Sequence, residues 1–97
     1  MLIKIHKAGG KKIVSIADKE IIGKEFEEGE RYLHVSERFY KGEEKKEGEI
    51  IKILEDANSV NIVGKNSINF AVNNRLVDKE SILTIKGIPC DIVVFNE

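Results

Sequence analysis

Apolar and polar residues alternate at the beginning of the chain, and this alternation predicts a β-hairpin. It runs through residues 2–7 and 11–17, on either side of Gly9 and Gly10. Two glycines suit a two-residue loop because both central positions of the favoured hairpin turn have positive φ, which glycine adopts without steric cost. The apolar residues of the two strands then fall on one face, which supports the register. The predicted cross-strand pairs are Ile3–Ile16, Ile5–Val14 and Lys7–Lys12.

The charged middle of the chain contains one further predicted strand between two connections. Asp18 is predicted to cap a short turn over residues 19–22 that Gly23 ends, and the charged stretch that follows, as far as Glu30, is predicted to form an exposed connection. Residues 31–36 alternate again, which predicts a third strand with Leu33 and Val35 on the core side. Residues 37–47 then form a loop that an aromatic pair anchors.

The second half of the chain shows helical spacing twice and ends in a hairpin. Apolar residues recur at intervals of three and four over about residues 48–58 and 65–75, which predicts two amphipathic helices. The apolar run 60–63 between them fits a strand or a continued helix, because it is too short for its periodicity to decide. The C-terminal strands are predicted at residues 82–86 and 91–95, joined through 87–89. Since the last strand is apolar on both faces, we expect it in the centre of a sheet.

These elements predict an α+β fold for a single domain that spans residues 1–97. We expect an antiparallel sheet of about five or six strands, built from the N- and C-terminal hairpins and the third strand, with the two helices packed on one face. The length of 97 residues suits one domain, and the hydrophobic share of 41% is enough for one core.

The charges are nearly balanced over the whole chain and unbalanced at the hairpin tip. With 16 basic and 17 acidic residues, the net charge of −1 excludes the bulk basicity of an indiscriminate nucleic-acid binder. Lys7, Lys11 and Lys12 nevertheless cluster at the tip and can contact phosphates, which makes RNA or a ribonucleoprotein the first candidate partner. The alternative is a solvated turn whose lysines discourage aggregation. Because Lys7 opposes Lys12, we expect another group to compensate their repulsion.

A second candidate feature is the predicted start of the second helix at Gly64, Lys65, Asn66 and Ser67. Free backbone amides and the positive end of the helix dipole suit an anion there. The complete nucleotide-binding loop is absent, because Ser59 stands where that motif requires a glycine. An ordinary helix start preceded by a glycine is the alternative.

Phe39 and Tyr40 form the third candidate, an interaction surface. Aromatic side chains are favoured in protein interfaces and also as stacking platforms for bases. The pair therefore suits another protein or a second copy of the chain as well as RNA. The alternative is that both rings anchor their own loop, with Phe39 in the core.

The residue pattern gives little support to catalysis. His6 and His34 are the only histidines, and Cys90 is the only cysteine. No spacing assembles a nucleophile, a base and an orienting group, so we expect no catalytic residue, no metal site and no cofactor. The rival hypothesis is a small-metabolite enzyme that uses His34 and Glu37.

The distribution of charges also predicts where the protein is found. The longest stretch without a charged side chain has nine residues, at positions 66–74, whereas a membrane-spanning helix needs about 20. Lys4 and Lys7 interrupt the first apolar segment, which excludes an ordinary secretory signal. A lone cysteine suits a reducing compartment. We therefore expect a cytoplasmic protein without a membrane partner.

Several segments, taken together and in order, resemble a small archaeal family named domain of unknown function 424. The segments are the N-terminal hairpin and residues 22–24, 35–43, 61–64 and 87–89. The resemblance covers nearly the whole chain. It implies an archaeal source and no particular activity, because the family has none assigned. Its members often carry His and Gln soon after the Gly-x-Pro sequence, whereas Cys90 and Ile92 stand at those places here.

Overall fold

The computed structural model describes residues 1–95 and confirms the predicted N-terminal hairpin. Strand β1 spans Leu2–Ala8, and the antiparallel β2 spans Lys11–Ala17. Gly9 and Gly10 have φ values of 58° and 78°, the conformation that the two-residue turn requires. The cross-strand pairs are the predicted ones, Ile3–Ile16, Ile5–Val14 and Lys7–Lys12.

Six strands form the main sheet, and two form a separate hairpin. The remaining strands are β3 (Glu25–Glu28), β4 (Arg31–His34), β5 (Glu43–Glu44), β6 (Ser59–Val63), β7 (Leu83–Ile85) and β8 (Ile88–Val94). The order in the main sheet is β5-β1-β2-β6-β8-β7. The α+β class and both terminal hairpins are confirmed. The sheet is mixed rather than purely antiparallel, because β2 and β6 are parallel; the long connection between them lets the chain return in the same direction.

Two of the three helices pack on one face of the main sheet, which we call the helix face. Helix α1 spans Glu37–Tyr40, α2 spans Glu47–Leu54 and α3 spans Lys65–Asn73. As predicted, α2 and α3 share one side, where their apolar residues join those of the sheet in a single core. Its buried members are Ile3, Val14, Ile16, Ile50, Leu54, Ala57, Val60, Ile62, Ile68, Phe70 and Ala71.

A second, smaller core lies on the opposite face, which we call the hairpin face. The predicted third strand exists as β4, but it pairs with β3 and lies outside the main sheet. The prediction of an exposed connection as far as Glu30 therefore missed β3, although the residues of β3 other than Phe26 are exposed. Phe26 and Leu33 are opposite each other in this hairpin and pack against buried Ala17, Val35 and Val63. Burial of these apolar side chains holds an otherwise highly charged hairpin against the sheet.

The C-terminal hairpin is confirmed, with a shorter turn and another position in the sheet than predicted. β7 and β8 are joined by Lys86 and Gly87 alone, with φ values of 52° and 79°. The apolar run at residues 60–63 is a strand, and β6 occupies the position between β2 and β8. The prediction that β8 is a central strand is therefore wrong for its C-terminal residues. Of the described strands, only the three-residue edge strand β7 lies on the outer side of β8, and Ile92 is 66% exposed.

Among residues 1–95, no helix has both the length and the apolar character needed to cross a membrane.

Candidate interaction surface

At the tip of the first hairpin, the three lysines predicted as a site have different surroundings. Lys7 and Lys11 are exposed, whereas the ammonium of Lys12 is folded back on α2. It forms an ion pair with Asp56 and donates to the carbonyl of Ile53 at 2.7 Å. The hydrogen bond from Lys12 holds the pKa of Asp56 below its usual value, and the charge of Lys7 lowers it further. Asp56 thus compensates the opposed lysines, as the hairpin register requires.

The backbone of Lys12 is fixed as firmly as its side chain. Its amide donates to the side-chain oxygen of Asn58 at 2.8 Å, and the amide of Asn58 donates to the Lys12 carbonyl at 2.8 Å. The same ammonium lies near the C-terminal end of α2, where a positive charge is favourable. Lys12 therefore joins β2 to α2 and to the connection before β6, and it is less available to an external phosphate than its two neighbours.

At the start of α3, the chain itself supplies the anion. The buried carboxylate of Asp18 accepts hydrogen bonds from the amides of Asn66 (3.0 Å) and Ser67 (2.8 Å), and from the Ser67 hydroxyl (2.7 Å). A Cβ atom on Gly64 would overlap this carboxylate, so the close approach requires glycine. Lys65 is exposed beside it. An external anion at this helix start would have to displace Asp18.

The aromatic pair fastens α1 to the hairpin face. The Phe39 ring stacks on His6 with centroids 4.3 Å apart, and the Phe39 carbonyl bonds to His6 Nε2 (3.0 Å) and Ser15 Oγ (2.8 Å). Ser36 begins the helix by accepting from the Phe39 amide at 3.2 Å. Tyr40 meets Phe39 edge to face at 5.0 Å. Phe39 is therefore an anchor, and Tyr40 is left to line the space beside it.

A cavity of about 250 Å³ lies between Tyr40 and the sheet. Leu33 and Tyr40 line its cover, and Asn61, Cys90 and Ile92 line its floor. Burial raises the pKa of the Tyr40 hydroxyl, and the neighbouring Cys90 raises it further. Burial also raises the pKa of the Cys90 thiol, with Asp91 adding to the effect. The thiol is therefore protonated near neutral pH, which suits binding and makes it a poor nucleophile.

Beside the cavity, the end of the sheet exposes a continuous apolar surface. Leu83 is paired with Cys90, and the alternation of β8 places Ile92 and Val94 on the same face as Cys90. The exposed fractions are 49% for Leu83, 66% for Ile92 and 57% for Val94. We call these three residues the apolar stripe. An exposed apolar group of this kind is typical of an interaction site.

Among residues 1–95, no strand lies on the outer side of the backbone next to the apolar stripe. Strand β7 pairs with β8 no further than Cys90. Pro89 accepts from Gly64, and the Phe95 amide donates to Asn58, so the odd-numbered residues of β8 direct their backbone groups towards β6. Ile92 and Val94 therefore direct theirs outwards. The stretch from Ile92 to Phe95 is a free edge, and it is partly blocked where Asp91 accepts from the Ile92 amide at 2.8 Å.

This exposed surface was not predicted from the sequence, because the apolar run at its centre was interpreted as a sign of burial. The apolar run 92–95 is real, but an apolar strand is buried on both faces only where neighbouring strands and covering layers exist. Residues 83–85 are too few to cover the outer side of β8, and β3 and β4 cover only the other end of the hairpin face. The sequence carried no signal of this exposure, because residues 82–86 predicted a strand longer than the Leu83–Ile85 of β7.

The two residues of the rival enzyme hypothesis each have other neighbours in the structure. His34 is exposed on β4 opposite Glu25, and the Glu37 carboxylate lies 3.8 Å from the ammonium of Lys41. Neither lines the cavity beneath Tyr40. In the part of the chain that the structure describes, no three His, Cys, Asp or Glu residues are grouped so that they could hold a metal ion.

Comparison with known proteins identifies relatives without an assigned activity. Residues 6–95 match the model of a family described as "Protein of unknown function (DUF424)", which confirms the resemblance predicted from the sequence. The fold is similar to the crystal structure of an uncharacterized conserved protein from Methanopyrus kandleri, with 25% sequence identity and a TM-score of 0.72. That similarity covers 99% of this chain and 93% of the other. No curated protein matches the chain.

Proposed function

This chain belongs to the DUF424 family of unknown function, and we propose that it is a protein-binding module that receives an extended segment along the free edge of β8. The observation that carries the proposal is the exposure of Ile92 and Val94 on a strand whose outer backbone groups have no strand partner. We further propose an archaeal source and a cytoplasmic location for this module.

A β-strand is the partner that fits both properties of the surface. An added strand bonds to the outward backbone groups and places alternate side chains over the apolar stripe. Fully burying a valine or isoleucine contributes about 1.5–3 kcal/mol, so covering Ile92 and Val94, each more than half exposed, contributes about 2–4 kcal/mol in total. The stripe itself contains no charged residue, which makes it a poor surface for a nucleic-acid backbone.

The cavity beneath Tyr40 adds a place for one side chain of the partner. At about 250 Å³ it is smaller than the usual ligand pocket of about 300–1,000 Å³. The Tyr40 hydroxyl and the Asn61 amide supply polar groups at its walls, and Leu33 and Ile92 supply apolar ones. This mixture suits a side chain that is apolar and carries one polar group.

Site-specific crosslinking in the native source tests the proposal. A photoreactive amino acid is placed at position 94 and, as the matched control, at position 5, because Ile5 is also an exposed strand residue (45%) but lies on β1 and on the helix face. We expect one protein to be captured from position 94 only. Binding of that purified protein should be lost with Ile92→Lys, kept with Ile5→Lys and unaffected by ribonuclease. Equal capture from both positions, or loss with ribonuclease, would contradict the proposal.

RNA binding at the hairpin tip is the second candidate. It is supported by Lys7 and Lys11, which are exposed and have no ion pair among the described residues, whereas Lys12 is bonded to Asp56. The double variant Lys7→Gln/Lys11→Gln should reduce the salt dependence of RNA binding by up to about two counterions. The control pair is Lys46→Gln/Lys52→Gln, two exposed lysines on another element. A salt dependence that both pairs change equally would count against a site at the tip.

A further inference from the structure

We propose that the strand received at the free edge of β8 is β8 of a second copy of this chain, in an antiparallel pair about a twofold axis at Val93. This inference rests on the proposed function, because it uses the same edge. It joins the two six-stranded main sheets into one continuous sheet. A twofold pair is the commonest form of closed homo-oligomer, since each copy contributes the same surface.

The direction of the backbone groups sets the register. Ile92 and Val94 direct their amides and carbonyls outwards, whereas Val93 directs its own towards β6. With the axis at Val93, Ile92 of each copy is opposite Val94 of the other. Ile92 of each copy then exchanges backbone hydrogen bonds with Val94 of the other copy. The two Val93 residues form the non-hydrogen-bonded pair at the centre, between these two bonded pairs.

The length of the free edge matches this register. On the outer side of β8, Leu83 occupies the place opposite Cys90 and Ser81 bonds to the Asp91 carboxylate, so the edge is open from Ile92 onwards, which includes both residues that direct their backbone groups outwards. With the axis at Val93, Asp91 of one copy faces Phe95 of the other, and the paired segment ends where β7 begins. Shifting the second copy by two residues towards Cys90 would place its Val94 where Leu83 lies.

Side chains on both faces of the pair are compatible with contact. On the hairpin face, Ile92 and Val94 from the two copies form one apolar group, which covers the most exposed part of the stripe. On the helix face, the two Val93 side chains meet, and the Asp91 carboxylates lie about 13 Å apart along the strands because they are four residues out of opposition. At that spacing their repulsion is screened at physiological ionic strength.

Asp91 opposes the association in the separate chain. Its carboxylate accepts from the Ile92 amide (2.8 Å) and from Ser81 Oγ (2.6 Å), and the first of these bonds occupies an edge donor that the second copy needs. Removing the carboxylate frees this amide. Asp91→Ala is therefore expected to strengthen the dimer several-fold, an effect opposite in sign to that of a variant that damages the interface.

Sedimentation analysis over a range of concentrations tests the inference on the full chain. We expect a monomer–dimer equilibrium that Val94→Lys abolishes and that Asp91→Ala shifts towards the dimer. Ile5→Lys is the matched control and should leave the equilibrium unchanged, because Ile5 is an exposed strand residue away from β8. A circular dichroism spectrum of each variant shows that it has folded.

A disulfide crosslink tests the register independently. In a Cys90→Ser background, Val93→Cys places two thiols at the twofold axis, where opposite residues of a non-bonded pair have Cα atoms about 4.5 Å apart, within reach of a disulfide. Mild oxidation should give a linked dimer. Ile13→Cys, on β2, should not.

The outcomes separate this inference from the proposed function. A dimer that Val94→Lys leaves intact, or one in which Val93→Cys does not crosslink, overturns the inference. A chain that stays monomeric while position 94 captures a different protein also overturns it and leaves the protein-binding module standing. If the chain is monomeric and position 94 captures nothing, both proposals fall.

Discussion

The carboxylate of Asp18 accepts two hydrogen bonds from Ser67, one from its amide at 2.8 Å and one from its hydroxyl at 2.7 Å. The two residues are 49 positions apart in the sequence, and both are buried. Asp18 follows β2 directly, and Ser67 lies in the first turn of α3. A side chain from the end of one strand thus caps a helix that follows the neighbouring strand β6, which links the two across their parallel pair.

We expect Asp18→Ala to lower the free energy of unfolding by about 2–4 kcal/mol, because it removes a helix cap and leaves buried donors without an acceptor. Urea denaturation monitored by circular dichroism measures the change. Ser67→Ala is the control: it removes only the hydroxyl bond and should cost about 1 kcal/mol. Equal losses for the two variants would show that the amide bonds contribute nothing.

Gly64→Ala is expected to destabilise the protein by about 2–4 kcal/mol. The backbone at Gly64 has a φ of 111°, which strains any other residue, and the new Cβ would overlap Asp18. Gly29→Ala controls for strain alone, because Gly29 has a φ of 63° with no atom near the added Cβ, and it should cost only about 1–2 kcal/mol. Gly64 has φ 111° and ψ 154°, a backbone region almost exclusive to glycine, so the larger loss at Gly64, measured by urea denaturation, combines this strain with the overlap. A Gly29 variant that costs as much as Gly64→Ala would contradict the prediction.

Lys12→Gln and Lys7→Gln should affect stability in opposite directions. The Lys12 ammonium bonds to the Ile53 carbonyl and to Asp56, so its loss is expected to cost about 1 kcal/mol. Lys7 is exposed and opposes Lys12, so its replacement should leave stability unchanged or raise it slightly. Thermal unfolding of the two variants measures the difference. Similar melting temperatures would mean that Lys12 is a solvated side chain like its neighbour.

The stabilising effect of Asp56 should depend on pH in a defined direction. Its pKa is lowered in the folded state, chiefly by the hydrogen bond from Lys12. Its contribution is therefore complete above the unfolded pKa of about 3.9 and is lost as the pH falls through the lower folded value. Urea denaturation of Asp56→Asn should show a deficit against the unchanged protein at pH 6 that disappears towards pH 2. A deficit that is equally large at pH 6 and at pH 2 would contradict the prediction.

Cys90 should react slowly with alkylating agents. Burial raises the pKa of its thiol, and the neighbouring Asp91 raises it further, so little thiolate is present near neutral pH. We expect iodoacetamide to modify Cys90 more slowly in the folded than in the unfolded chain, with the rate rising only at a higher pH than for an ordinary thiol. Asp91→Asn should move this pH profile downwards. A folded chain that reacts faster than the unfolded one would contradict this prediction.

The local parts of this structure could be predicted from the sequence alone. The register of β1 and β2 followed from Gly9 and Gly10 together with the alternation on either side, because a two-residue turn leaves the strands no other alignment. The amphipathic spacing located α2 and α3 and the face that they bury. The register of the hairpin also indicated that the opposed Lys7 and Lys12 need a compensating charge.

The contacts between groups that are distant in the sequence depend on the tertiary structure. The compensating charge is Asp56, 44 positions from Lys12, and the anion at the start of α3 is Asp18. The parallel pairing of β2 with β6 depends on layers packed on both faces of the sheet. The same dependence explains the error at the end of β8: apolar character is a property of the residues, whereas burial is a property of their neighbours. Because β7 is three residues long, that run becomes a free edge and an exposed apolar stripe.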